Sequence, residues 1–222
     1  MVLWSVSNAA FTLHDHTKQG IAGQKKTDKR WRCMSVLPRS VCVFCGARAG
    51  NDPAYVQAGR DMGQLIAQRG WRLVYGAGDI GIMGEVARAA QTGGAPTFGV
   101  IPTHLMQAEQ GRQSLSTLVV TETMHERKKV MFTNSDAIVV LPGGAGSLDE
   151  FFEVLTWRQL GLHKKPILLL NTQGYWAPLA SLIDHVIDHG FAEANVRSFF
   201  SVVDTVDTAG QALDAHFNSL MS

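Results

Sequence analysis

Apolar segments of two lengths alternate along this chain from residue 41 to its end. Short runs rich in β-branched residues predict strands at 41–45, 72–75, 97–101, 117–121, 137–141, 166–170 and 199–203. Longer amphipathic segments predict helices at 53–69, 81–92, 122–134, 147–160, 175–189 and 207–220. The run at 137–141, Ala-Ile-Val-Val-Leu, is apolar at every position, which is typical of a parallel strand covered by helices on both faces. The alternation therefore predicts an α/β fold, a Rossmann-like doubly wound parallel sheet in a single domain over residues 41–222.

The composition excludes a membrane-spanning protein and argues against a disulfide-rich one. The 222 residues are 45% apolar, and no window reaches the roughly 18 consecutive apolar residues that a membrane span needs. We therefore expect no membrane partner. Three cysteines (Cys33, Cys42 and Cys45) are too few, and odd in number, for a disulfide framework. This cysteine usage favours a reducing compartment, the cytoplasm.

Charge is distributed unevenly along the chain. Residues 1–40 contain seven Lys and Arg against two Asp, a net +5, whereas the rest contains thirteen Lys and Arg against seventeen Asp and Glu, a net −4. Residues 1–40 lack apolar periodicity and predict a basic, disordered extension, solvated rather than tethered to nucleic acid or membrane. We hypothesise that translation begins at Met34, just before the first strand. The acidic remainder offers no basic face for duplex nucleic acid, so no nucleic-acid partner is expected.

The first glycine-rich turn, at 76–84, has the spacing GxGxxG after a strand and before a helix. Glycines such as Gly76 and Gly78 let the backbone approach a ligand, and the following helix N-terminus favours an anion. A dinucleotide site also needs an acidic residue about 20 positions further on, at the end of the next strand. That strand ends Val100-Ile101-Pro102 without a carboxylate, so NAD binding is disfavoured.

The second glycine-rich turn, at 142–150, combines consecutive free amides with a hydroxyl and two carboxylates at a helix start. The amides of Gly143, Gly144, Ala145 and Gly146, together with the hydroxyl of Ser147, predict a phosphate site. It is not a P-loop, because the lysine of that motif is missing. An alternative interpretation is a capping box, in which Ser147 and Glu150 only cap the helix.

The helix that follows this turn has an unusual polar face. Leu148, Phe151, Phe152, Leu155 and Leu162 share one face at helical spacing, and we expect that face to be buried. Glu150, Glu153 and Trp157 form the opposite stripe. A tryptophan among carboxylates indicates a ligand cleft or a subunit interface.

Arg127 carries a positive charge that is complementary to these carboxylates. It falls among Met124, Val130 and Met131 on the apolar side of its predicted helix, whereas Glu126 and Lys129 point away. A guanidinium facing the core needs a carboxylate or a phosphate, because an unpaired buried charge is very costly. A ligand contact and a structural salt bridge are both open at this point.

Other reactive residues favour structural roles. Cys42 and Cys45 have CxxC spacing but lie in an apolar strand, which predicts packing. His185 and His189 predict a solvated pair, because Leu182, Ile183, Val186 and Ile187 define the buried face of that helix. No metal site is predicted.

Two patterns occur together: Met124-His125-Glu126-Arg127-Lys128, and the run from Pro142 to Glu150, Pro-Gly-Gly-Ala-Gly-Ser-Leu-Asp-Glu. The pair resembles the LOG (Lonely Guy) family of cytokinin-activating phosphoribohydrolases, long labelled lysine decarboxylases. The likeness extends through Phe44-Cys45-Gly46 and Thr156-Trp157-Arg158-Gln159 and covers most of residues 41–204. Ser147 replaces the usual threonine. Ala77 replaces the middle glycine of a GGG turn, which is expected to narrow the room near the ligand.

The resemblance implies hydrolysis of the N-glycosidic bond of AMP or an N6-modified AMP to free base and ribose 5-phosphate. By position, Arg127 and Glu150 would be the catalytic pair, and Glu109, Lys128, Thr156 and the loop from Gly144 to Ser147 would contact the nucleotide. No cofactor is implied. Family members form dimers through this part of the fold, so we expect a homodimer that buries Trp157. The alternative is a non-catalytic carrier of a nucleotide-like cofactor with the same fold.

Overall fold

The computed structural model describes residues 38–106 and 115–220, all within a unit that spans Leu37–Ser222. The strands are β1 Ser40–Phe44, β2 Arg72–Tyr75, β3 Thr97–Pro102, β4 Thr117–Thr121, β5 Ala137–Val140, β6 Ile167–Leu170 and β7 Ser201–Val203. The helices are α1 Pro53–Gln68, α2 Gly81–Thr92, α3 Met124–Thr133, α4 Ala145–Gln159, α5 Ala177–Asp188 and α6 Val206–Ser219. Among the described residues, no helix combines the length and the apolar character that crossing a membrane requires.

The seven strands form one parallel sheet in the order β4-β3-β2-β1-β5-β6-β7. The order reverses direction at β1, which pairs with β2 on one side and with β5 on the other. In doubly wound sheets, ligands bind outside the carboxyl ends of the strands at this switch point. The topology therefore directs attention to the loops that follow β1 and β5.

Helices cover both faces of the sheet. Helices α1, α2 and α6 pack over one face and α3, α4 and α5 over the other. Along β1, Val41 and Val43 enter the first core, whereas Cys42 and Phe44 enter the second. Burial on both faces explains why the strands are apolar at successive positions, and it confirms the predicted fold class. Cys42 and Cys45 are buried free thiols, as predicted.

All thirteen predicted elements are present in the described residues, and their ends shift by at most two residues. The core prediction was wrong at three leucine or phenylalanine positions: Phe152, Leu162 and Leu182 are 38%, 68% and 49% exposed. Helix α4 ends at Gln159, so helical spacing no longer governs Leu162. The buried arcs of α4 and α5 are narrower than the apolar arcs in the sequence. Residues 1–37 of the predicted basic extension lie outside the described residues, and Ser40 already begins β1.

Candidate active site

A cleft of about 630 Å³ opens at the switch point of the sheet. Its walls are the loop after β1, from Cys45 to Asn51, and the loop after β5 with the first turns of α4. The two loops are joined directly, because the amide of Gly46 donates to the carbonyl of Pro142 over 3.0 Å. The volume lies in the range of small-molecule sites.

The N-terminus of α4 faces this cleft without a side-chain cap. Gly144 is the N-cap residue and no side chain bonds the first-turn amides. Gly144, Ala145 and Gly146 are exposed and line the cleft. Uncapped amides and the helix dipole together favour an anion at this position. Ser147 lies within the first turn rather than at the N-cap, so the capping-box alternative is wrong.

Two contacts fix the shape of this loop. A Cβ on Gly143 would collide with the hydroxyl of Ser147, so only glycine allows Ser147 to lie buried beneath the loop. The hydroxyl of Tyr175 donates to the carbonyl of Gly143 over 2.6 Å. The Tyr175 ring also packs edge-on against Tyr55 of α1, with 5.4 Å between ring centroids. The buried Ser147 and the hydroxyl of Tyr175 therefore both fix the position of this loop.

Glu150 lies in the second turn of α4 and lines the cleft. Burial raises the pKa of its carboxyl to about 7, and the neighbouring charge of Arg127 opposes that rise. At neutral pH the carboxyl is therefore divided between its ionised and protonated forms. A carboxyl with this pKa can accept and return a proton near pH 7.

Arg127 reaches the same cleft from α3 and is 5% exposed. Its Nε donates to the carbonyl of Val100 over 3.1 Å and its Nη2 to the carbonyl of Gly76 over 2.6 Å. These acceptors lie near the carboxyl ends of β3 and β2. Within the described residues, Arg127 makes no ion pair, so of the two open alternatives the structural salt bridge is not formed. Backbone carbonyls bind the guanidinium and leave its charge beside Glu150. A Cβ on Gly76 would collide with Nη2, which explains that glycine.

Four predicted ligand residues lie away from the lining of this cleft. Lys128 is buried and pairs with Asp149 at 2.8 Å and with Glu153 at 3.2 Å. Thr156 is exposed on the outer face of α4. The carbonyl of Gly76 is bound by Arg127, and the amide of Gly78 contacts the sulfur of Met83 at 3.2 Å.

Three further predictions from the sequence concern residues near the site: Ala77, Trp157 and Glu109. Ala77 has a left-handed backbone (φ 59°), and its methyl group packs against Gly99 of β3, so it does not narrow the cleft as expected. Trp157, for which the sequence indicated a ligand cleft or a subunit interface, is half-buried within the chain itself and packs edge-on against Phe132 of α3, with 4.8 Å between centroids. Glu109 lies outside the described residues.

Seven predicted residues are thus brought together in the cleft: Arg127, Gly143, Gly144, Ala145, Gly146, Ser147 and Glu150. Sequence reasoning missed four polar lining residues: Arg48, Asn51, Tyr55 and Tyr175. For Arg48 and Asn51, the loop after the first predicted strand was the available signal, because a doubly wound sheet places that loop at the switch point.

The lining is also informative about cofactors. No described lining residue is a lysine, so the cleft does not fit pyridoxal phosphate, which is bound as a lysine Schiff base. Within the described residues, no cluster of His, Cys, Asp and Glu has the arrangement of a metal site.

Comparison with known proteins extends this description. The family model described as "Possible lysine decarboxylase" matches residues 83–213, more than half of the chain. A rice (Oryza sativa subsp. japonica) protein named "Probable cytokinin riboside 5'-monophosphate phosphoribohydrolase LOG4" is 42% identical over 79% of this chain and 75% of its own. The Arabidopsis thaliana cytokinin riboside 5'-monophosphate phosphoribohydrolase LOG1 is 43% identical over 72% of this chain and 75% of its own.

A solved structure supports the fold. The molybdenum cofactor binding protein from the phototrophic bacterium Rippkaea orientalis superposes with a TM-score of 0.63 over 82% of this chain and 99% of its own, at 18% identity. That identity shows a shared fold alone. The sequence matches go further: the family model and relatives above 40% identity over most of both chains show that this chain belongs to the LOG family of phosphoribohydrolases.

Proposed function

We propose that the chain hydrolyses the N-glycosidic bond of AMP or an N6-modified AMP, releasing the base and ribose 5-phosphate. The supporting observation is that one helix, α4, brings uncapped amides and the carboxyl of Glu150 into one cleft. The amides suit a phosphate monoester, and a carboxyl suits the positive charge that develops on a ribose ring as its base departs. Relatives of the chain carry the name of this activity.

The proposed steps use only residues of the cleft. The Gly144–Ser147 amides hold the 5'-phosphate and so position the ribose over Glu150. The bond from C1' to the base nitrogen breaks, its electron pair leaves with the base, and ionised Glu150 stabilises the oxocarbenium ion. Glu150 takes a proton from a water whose oxygen bonds to C1'. The departing base nitrogen takes a proton from solvent, and Glu150 returns its own proton to solvent, which restores the ionised carboxylate. The positive charge of Arg127 favours the ionised form of Glu150 that this step needs.

The experiment incubates the purified protein with AMP and with isopentenyl-AMP and separates the products by chromatography. We expect free base and ribose 5-phosphate in equal amounts, and hydrolysis at least about a hundredfold slower with Glu150→Gln. Binding of AMP without release of adenine would instead favour the cofactor carrier. Lysine decarboxylation with pyridoxal phosphate would require a visible Schiff-base absorption band in the loaded protein, which we expect to be absent.

We propose that the chain is a cytoplasmic homodimer. Two buried free thiols, Cys42 and Cys45, support a reducing compartment. The outer face of α4 supports a second copy, because it exposes Phe152 beside Thr156. Thr156 does not line the cleft of its own chain, so a nucleotide contact through Thr156 needs that second copy.

A further inference from the structure

The phosphate site at the start of α4 supplies amides and a helix dipole, which together carry about half of one positive charge. A phosphate monoester carries close to two negative charges at neutral pH. The buried cations near the cleft are already engaged: Arg127 holds two carbonyls, and Lys128 holds Asp149 and Glu153. Both side chains are therefore held in place by groups of the chain itself.

Arg48 differs from both. It lies in the loop after β1, lines the cleft and is exposed. Within the part of the chain that the structure describes, no hydrogen bond, ion pair or ring contact engages its guanidinium. Among the described residues that line the cleft, Arg48 is therefore the cation whose guanidinium is not already committed to another group of the chain.

The backbone that carries Arg48 is held rigidly beside the phosphate loop. Gly81, the first residue of α2, has φ 61° and packs so closely on the backbone of Ala47 and Arg48 that a Cβ would collide with it. A Cβ on Gly46 would lie 3.1 Å from the carbonyl oxygen of Arg48 and 3.3 Å from the Cα of Gly143. The backbone at Arg48 is thus packed against α2 and the phosphate loop, so a ligand has mainly the side chain of Arg48 to order.

We infer that Arg48 completes the phosphate subsite, closing its guanidinium on the 5'-phosphate monoester opposite the Gly144–Ser147 amides. Two parallel N–H donors match two phosphate oxygens, which gives a bidentate, charge-assisted contact. The residue thereby selects nucleoside monophosphates over nucleosides. This role rests on the proposed function for the identity of the substrate, but phosphate binding itself does not depend on turnover.

The test compares binding of AMP, adenosine and inorganic phosphate by calorimetry for the unmodified protein, Arg48→Gln and Arg48→Lys. We expect Arg48→Gln to weaken AMP about tenfold to a hundredfold and phosphate similarly, and to change adenosine less than threefold. Arg48→Lys should recover part of the loss, because it keeps the charge but not the fork. In turnover, the loss should fall on KM for AMP more than on kcat.

Arg69→Gln is the matched control, because Arg69 follows α1 at the opposite end of the sheet and pairs with Asp214 there. It should bind all three probes like the unmodified protein. Equal loss of AMP and adenosine affinity in Arg48→Gln, or no loss of either, would overturn the role of Arg48. If AMP binds in the predicted order but is never hydrolysed, the proposed function fails and the subsite stands.

Discussion

Glu150 experiences two opposing influences, and their balance determines how its activity responds to pH. Burial raises the pKa of its carboxyl to about 7 and the charge of Arg127 works against burial. The proposed hydrolysis needs the ionised form. We therefore expect kcat/KM for AMP to rise with pH, to be half-maximal near pH 7 and to level off above it. A pH–rate profile of the free enzyme measures this, and a flat profile from pH 5 to 9 would contradict the role.

The same pKa has a consequence for stability. A carboxyl that holds its proton to about pH 7 in the fold and to about pH 4.5 when unfolded stabilises the fold at low pH and loses that contribution as pH rises through 7. Glu150→Gln has no carboxyl to ionise, so the variant does not lose stability in this way as pH rises. At pH 8 we expect its free energy of unfolding to exceed that of the unmodified protein by up to about 3 kcal/mol, with no difference at pH 4, although hydrolysis falls at least about a hundredfold. Urea unfolding at both pH values measures the effect, and lower stability of the variant at pH 8 would contradict it.

Arg127 joins three elements through two hydrogen bonds, so its loss should cost both stability and activity. Arg127→Ala leaves the carbonyls of Val100 and Gly76 buried without their donor. We expect a loss of about 2 to 5 kcal/mol in unfolding free energy and a large fall in kcat. Thermal unfolding and the AMP assay measure the two effects. Lys129→Ala is the matched control, because Lys129 is exposed on the same helix, and it should change neither quantity. An equally stable and active Arg127→Ala would show that the guanidinium has no such role.

For individual residues, the sequence predicted which side chains face the core but not which groups they contact there. Helical spacing placed Arg127 on the inner side of α3 correctly. Its acceptors, Gly76 just after β2 and Val100 in β3, lie more than 25 residues away along the chain, and backbone carbonyls carry no sequence signature. The packing of Trp157 was not predicted either, because its partner Phe132 lies on another helix.

At the scale of elements, the start of α4 depends on a contact from the turn before α5. Tyr175 holds the carbonyl of Gly143 and thereby the peptide that presents the amide of Gly144. Tyr175→Phe keeps the ring against Tyr55 and removes only this bond. We expect KM for AMP to rise about fivefold with kcat changed less than twofold, since one neutral hydrogen bond is worth about 1 kcal/mol. Steady-state kinetics with AMP, and adenosine binding as the control, measure this. If Tyr175→Phe weakens adenosine binding as much as it raises KM for AMP, this role of Tyr175 is contradicted.

Element boundaries were predictable where local signals act alone. Helix α2 and strands β2 and β4 have the predicted bounds. Helix α4 begins at Ala145, two residues earlier than predicted, because Gly144 takes the N-cap position and Ser147 is drawn beneath the loop. The Ser-x-x-Glu spacing was a local signal that tertiary packing overrode. A capping box does occur at the start of α3, between Thr123 and Glu126.

For the whole molecule, alternating strands and helices predicted a parallel sheet but not its strand order. The order puts β1 between β2 and β5, and only then do the loops after β1 and β5 face each other. The predicted phosphate loop follows β5, so half of the cleft was predictable. Arg48 and Tyr55 were missed because their approach to that loop depends on the strand order.

The assembly is the remaining question at this scale, and α4 offers a direct test. Trp157 is a poor probe, because its packing on Phe132 means that Trp157→Glu would disturb the fold itself. Phe152 is a better one: it is 38% exposed, one helical turn before the exposed Thr156. If a second copy covers this face, Phe152→Glu should raise the dimer dissociation constant by at least about tenfold, as expected for an aromatic anchor.

Phe191→Glu is the matched control, because Phe191 is 85% exposed and follows the C-terminal end of α5, whereas Phe152 lies in the first half of α4. Light scattering at micromolar concentration should report a dimer for the unmodified protein and for Phe191→Glu, and a shift toward monomer for Phe152→Glu at unchanged melting temperature. A monomeric unmodified protein would overturn the homodimer. A monomer would also exclude Thr156 from the nucleotide site, because Thr156 does not reach the cleft of its own chain.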